Sequence, residues 1–218
     1  MTELEILSKT DHTFLKQDCT QKDIENLCKE ATEFNTASVC VPPCFVKYTK
    51  QLLNNVAVCT VIGFPNGYNT SETKYFECEN TLFNGADEID VVINLTDLKN
   101  GNFKAIFNEI SSLKNICKNK ILKVIVETCL LNLQEKKDIC NVVYDSGADF
   151  IKTSTGFSKG GATEEDVLLF KSLHKDLKVK GAGGISDFAF AEKLINAGCD
   201  RIGASRLVKL YKEKIYLK

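Results

Sequence analysis

A lysine amine attacks a carbonyl only when it is neutral, and two lysines of this chain sit where that state could be imposed. Lys152 and Lys180 lie in short β-rich runs, 149–153 and 177–181, with parity opposite to Ile151 and Val179. Strand side chains alternate between faces, so if the apolar set meets covering helices, both lysines point the other way. In 88–93 the same alternation sends Ile89, Val91 and Ile93 to one face and Asp90, Val92 and Asn94 to the other. In 121–127, Leu122, Val124 and Val126 oppose Lys123, Ile125 and Glu127, with Glu127 nearest the C-terminal end of the run.

Burial disfavours an ammonium and a second nearby lysine repels it, and both effects lower the pKa of an interior lysine. A neutral amine prepared in this way forms a Schiff base with an aldehyde or ketone. Asp90 would then hold Lys180 charged while Lys152 stays neutral. The plain alternative is an interior ion pair with no reaction attached. Two lysines against one carboxylate leave a cation over, which favours chemistry.

A second group of residues suggests an anion pocket. Gly156, Gly183, Gly184 and Gly203 are expected just after the sixth, seventh and eighth β-rich runs, the last followed by Ser205 and a helical segment. Loops rich in free backbone N–H groups beside a helix N-terminus bind phosphate. Tight turns alone would also explain any single pair of these glycines.

Elements must bring these residues together. Runs 37–41, 56–62, 88–93, 121–127, 149–153, 177–181 and 200–203 alternate with segments whose apolar residues lie three and four apart, such as Ile106, Ile110, Leu113 and Cys117. Alternation of strand and helix implies a parallel α/β sheet. Asp11 to Leu15 offers a weaker eighth strand at the start, with a helix from about residue 20. Eight would close a single (β/α)8 TIM barrel over 1–218, whose site would lie at the C-terminal ends of the strands. An open doubly wound sheet shares the alternation, but no GxGxxG follows the first strand and no Walker motif occurs.

Composition narrows the partners. The 218 residues carry 28 basic and 29 acidic side chains, a formal net charge of -1, so no nucleic acid or membrane partner is expected. Glu3, Glu5, Lys9, Asp11, Lys16 and Asp18 interrupt any apolar leader, which predicts a cytosolic protein with a small-molecule ligand. The ten cysteines include no CxxC pair and the only histidines are His12 and His174, so no metal site is expected. Cys40, Cys59 and Cys129 are read as small buried hydrophobes. His12 and the Asn66-Gly67 turn receive no role.

The segments TDHTFLK (10–16), VCTVIGFP (58–65), NGADEIDVVIN (84–94), VIVETCLL (124–131), GADFIKTSTGFSKGGAT (147–163) and RIGAS (201–205) occur in order along nearly the whole chain. Together they resemble the deoxyribose-phosphate aldolase family of class I aldolases. The resemblance implies reversible cleavage of 2-deoxy-D-ribose 5-phosphate to D-glyceraldehyde 3-phosphate and acetaldehyde, in deoxyribonucleoside breakdown, without metal or other cofactor. It implies that Lys152 is the Schiff-base lysine, Lys180 the lysine that tunes it and Asp90 the proton-transfer carboxylate. Phosphate contacts carry over to Gly156, Gly183, Gly184, Ser205 and the backbone near Arg206, and the assembly to a homodimer or homotetramer. Gly181, Asn66, Tyr68 and Gln17 depart from the family pattern without removing a catalytic group. Some members use a longer tail ending in tyrosine for proton transfer; this sequence stops at Lys218, and no role is expected for Tyr216. A different Schiff-base sugar-phosphate aldolase would use the same amine, whereas a silent sugar-phosphate binder would not need all three of Asp90, Lys152 and Lys180.

Overall fold

A computed structural model describes residues 1–216; the last two, including the chain end at Lys218, lie outside the described residues. Eight parallel strands close on themselves: β1 (Thr10–Thr13), β2 (Ser38–Val41), β3 (Ala57–Ile62), β4 (Glu88–Val92), β5 (Ile121–Ile125), β6 (Phe150–Lys152), β7 (Lys178–Ala182) and β8 (Arg201–Ala204). Each strand pairs with its sequence neighbours, and β1 also pairs with β8, so no edge is left open. The expected barrel is therefore the architecture observed.

Strand parity divides the apolar residues as alternation requires. Ile89, Val91, Ile93, Leu122, Val124, Val126, Ile151 and Val179 belong to one buried cluster with the helices outside the barrel. The interior of the barrel is left to the opposite parity, where the charged residues lie. Register then sets their neighbours: Asp90 stands beside Lys123, Lys152 beside Lys180, and Lys180 beside Arg201.

The surrounding helices are α1 (Glu3–Leu7), α2 (Gln21–Glu33), α3 (Val46–Leu52), α4 (Ser71–Phe83), α5 (Leu95–Lys99), α6 (Phe103–Cys117), α7 (Leu133–Asp145), α8 (Glu164–Leu173), α9 (Phe188–Asn196) and α10 (Leu207–Tyr216). Their starts are written in the sequence. Thr20 with Asp23 and Asn132 with Glu135 form capping boxes that satisfy first-turn N–H groups of α2 and α7. In α6 the expected face of Ile106, Ile110, Leu113 and Cys117 is buried. Among the described residues no helix is long and apolar enough to cross a membrane.

The first strand is one residue earlier than its expected start and ends at Thr13 rather than Leu15. Leu15 packs instead, half-buried, against Cys40, Cys59 and Val61. Cys40 and Cys59 are buried as expected, while Cys129 is only half-buried.

Candidate active site

Asp90 is completely buried at the centre of the barrel. Its Oδ1 accepts from Lys123 Nζ at 2.8 Å, and its Oδ2 accepts from both Lys152 Nζ and Lys180 Nζ at 2.7 Å. Below them, toward the N-terminal ends of the strands, Asp11 pairs with Lys180 and with Arg201, the latter at 2.6 Å. Glu88 pairs with Lys123 at 2.6 Å and Arg201 at 3.3 Å. Four cationic side chains thus face three carboxylates, with one positive charge in excess.

At Asp90, Lys180 and Lys123 the opposite charges outweigh the penalty of burial. Burial alone would raise the Asp90 carboxyl, but Lys123, Lys152 and Lys180 hold it well below the ordinary carboxylate range. Burial alone would lower Lys180, but Asp11 and Asp90 raise it above the ordinary lysine range. Lys123 is likewise raised, against burial, chiefly by Asp90. Lys180 is thus held charged, as expected, but by Asp11 as well as by Asp90.

The cluster opens upward into a cleft of about 500 Å³ at the C-terminal ends of the strands. Lys152 lines its floor, and Gly156, Gly183, Gly184, Ser205 and Arg206 line it as well. Gly156, Gly183 and Gly184 have φ of 84°, 81° and 72°, the left-handed region in which glycine meets no steric penalty. Helix α10 begins at Leu207, immediately after Arg206, bringing a helix N-terminus to the same end of the barrel. Phe64 and Phe157 meet edge to face at 5.3 Å across the neighbouring loops.

A family model described as DeoC/LacD family aldolase matches residues 6–210. The chain belongs to that family. A deoxyribose-phosphate aldolase of Streptococcus agalactiae serotype Ia is 50% identical over 212 residues, covering 96% of this chain and 95% of the relative. One from Streptococcus pyogenes serotype M4 is also 50% identical over 212 residues, with the same coverage. Among solved structures, an aldolase named QR15 superposes with a TM-score of 0.92 at 37% identity, covering 98% of this chain and 99% of its own. A tetrameric deoxyribose phosphate aldolase from Aeropyrum pernix gives 0.89 at 30% identity, covering 100% and 94%.

In this DeoC/LacD family member, Lys152 and Lys180 converge on one oxygen of Asp90, and the five expected phosphate contacts share one cleft. Three details differ from expectation. Gly203 lies inside β8 rather than after it. A Cβ there would come within 3.1 Å of Lys180 Cε and 2.9 Å of Ala182 Cβ, so this glycine makes room for the lysine stem. Asp90 does not serve Lys180 alone but is shared with Lys152. Sequence reasoning also missed Asp11, Glu88 and Arg201; parity carried two residues back from Asp90 would have pointed to Glu88.

Proposed function

We propose that this chain, as one aldolase domain, reversibly cleaves 2-deoxy-D-ribose 5-phosphate to D-glyceraldehyde 3-phosphate and acetaldehyde through a Schiff base on Lys152. The observation that carries the reading is the shared Asp90 oxygen, 2.7 Å from both Lys152 Nζ and Lys180 Nζ, directly beneath an open cleft. The 50% identity to deoxyribose-phosphate aldolases supports the substrate.

The chemistry follows from the charges. Losing one proton balances the interior cluster, and Lys152 is its only lysine that lines the cleft. The neutral amine adds to the C1 aldehyde of the open-chain sugar, and loss of water leaves a protonated imine that acts as an electron sink. Removal of the C3 hydroxyl proton lets the C2–C3 bond break. Its electron pair passes to the enamine and glyceraldehyde 3-phosphate departs. Protonation at C2 and hydrolysis of the imine release acetaldehyde and restore the amine. Asp90 exchanges the protons of these steps, and Lys180, held charged, keeps Asp90 ionised between them. Gly156, Gly183, Gly184, Ser205 and Arg206 hold the phosphate, whose binding energy orients C1 over Lys152. The reaction as written consumes no cofactor. A cytosolic homodimer or homotetramer completes the reading; the Aeropyrum pernix relative is a tetramer.

The test is borohydride reduction with substrate followed by peptide mapping. The adduct is expected on Lys152, and Lys152→Ala should abolish both labelling and acetaldehyde release. Labelling retained on another lysine would overturn the assignment.

A further inference from the structure

Glu127 is an interior residue marked by strand parity that the reaction above does not use. Strand β5 stops two residues before it, and Glu127 itself adopts φ 53° and ψ 63°, the left-handed region that side chains other than glycine rarely occupy. Its side chain is buried, and among the described residues its hydrogen bonds come from the neutral donors of Thr155 and Cys129 alone. The Thr155 hydroxyl donates to Oε2, and the Thr155 N–H faces both carboxylate oxygens at 3.3 Å. With its proton committed, the Thr155 oxygen accepts from the Phe157 N–H at 3.0 Å. Glu127 therefore fixes both ends of the turn 155–157, whose middle residue is Gly156.

The same loop then runs across the cleft. Gly161 packs against the Gly183 backbone, and the Ala162 N–H donates to Ala182 O at 3.0 Å and to Gly183 O at 3.1 Å. A chain of contacts thus leads from Glu127 through the turn at Gly156 to the Gly183–Gly184 pair. We infer that Glu127 is a positioning residue: its strained, buried carboxylate holds the Thr155–Phe157 turn in the shape that aims the glycine loops at the substrate phosphate. This rests on the phosphate reading given above.

A glutamine at this position keeps the volume but removes the charge and one of the two acceptor oxygens that face the Thr155 donors. Glu127→Gln is expected to lower the ratio of kcat/KM for 2-deoxyribose 5-phosphate over free 2-deoxyribose about tenfold, mainly through KM, with a matching rise in the inhibition constant of inorganic phosphate. Thr155→Val cuts the same link from the other side. If Glu127 acts through Thr155, the double variant should lower the ratio no further than the more damaging single variant. Melting temperatures identify any variant that has lost its fold, and the two single variants give independent routes to the ratio. A folded Glu127→Gln enzyme with an unchanged ratio, or single effects that multiply in the double variant, overturns the inference. A wild type that does not distinguish the two sugars instead overturns the phosphate reading, and the inference with it.

Discussion

Gly161→Ala should cripple the enzyme although Gly161 bears no reactive group. A Cβ at this position would fall 2.2 Å from the Gly183 carbonyl oxygen, 2.4 Å from its carbon and 3.0 Å from Gly184 N. Non-bonded carbon atoms settle at about 3.5–4.0 Å, so something must move by about 1 Å. The obstructing atoms are backbone, which cannot swing aside as a side chain does. The displacement goes into the Gly183–Gly184 turn, or it breaks the hydrogen bonds from Ala162 that tie the two loops. A 1 Å misplacement near a reacting substrate costs about 100-fold. Overpacking adds about 1–3 kcal/mol of destabilisation, which for this chain length is about 2–4 °C of Tm per kcal/mol. Steady-state assays should show kcat/KM on the phosphorylated sugar down about 100-fold and a smaller loss on free 2-deoxyribose. Gly147→Ala is the control: Gly147 has φ 78° with no atom within 4 Å of an added Cβ, so strain should lower Tm without changing the kinetics. Wild-type kinetics in Gly161→Ala, or equal losses on both sugars, would refute the reasoning.

Removing the surplus charge is a second test. Lys180→Leu leaves the interior cluster with equal numbers of cations and carboxylates, so turnover at neutral pH should fall and the activity profile should move to higher pH; an unmoved profile would exclude electrostatic tuning by Lys180. Asp11 concerns stability. Burial would raise its carboxyl, but Lys180, Lys123 and Arg201 hold it below the ordinary range. Its folded pKa thus lies below the unfolded one, and its contribution is complete above about pH 4 and fades as pH falls further. Asp11→Asn should cost about 3–5 kcal/mol at neutral pH by leaving Lys180 and Arg201 short of a partner. Urea midpoints followed from neutral to acid pH should show that deficit closing below about pH 4; a deficit independent of pH would contradict the ionic account.

Most strands were legible because alternation survives wherever one strand face meets helices. Strand β1 was faint for a physical reason: Thr10, Asp11 and His12 are all buried yet none is apolar. Asp11 enters the interior cluster, while His12 reaches outward to Glu30 of α2 at 2.8 Å, so no hydrophobic period marks the strand. At the site, parity isolated Asp90, Lys152 and Lys180 because each shares a run with unambiguous apolar neighbours. The lower layer is marked less plainly: Asp11 lies in a strand without apolar alternation, and Glu88 and Arg201 are the first residues of β4 and β8. Gly156, Gly183 and Gly184 need positive φ and follow strands, whereas Gly161 is constrained by proximity to Gly183, 22 residues away, and has no local signature.

The β1–β8 seam ties the chemistry to closure of the barrel. Asp11 belongs to β1, the first strand of the barrel, and Arg201, its partner 190 residues later, to β8, the last. Lys180 gains its second carboxylate only when that seam has closed. A barrel opened at this seam keeps Lys152 and Asp90 in paired strands but loses the contacts of Asp11 with Lys180 and Arg201. Turnover is therefore expected to depend on closure of the ring through β1 and β8.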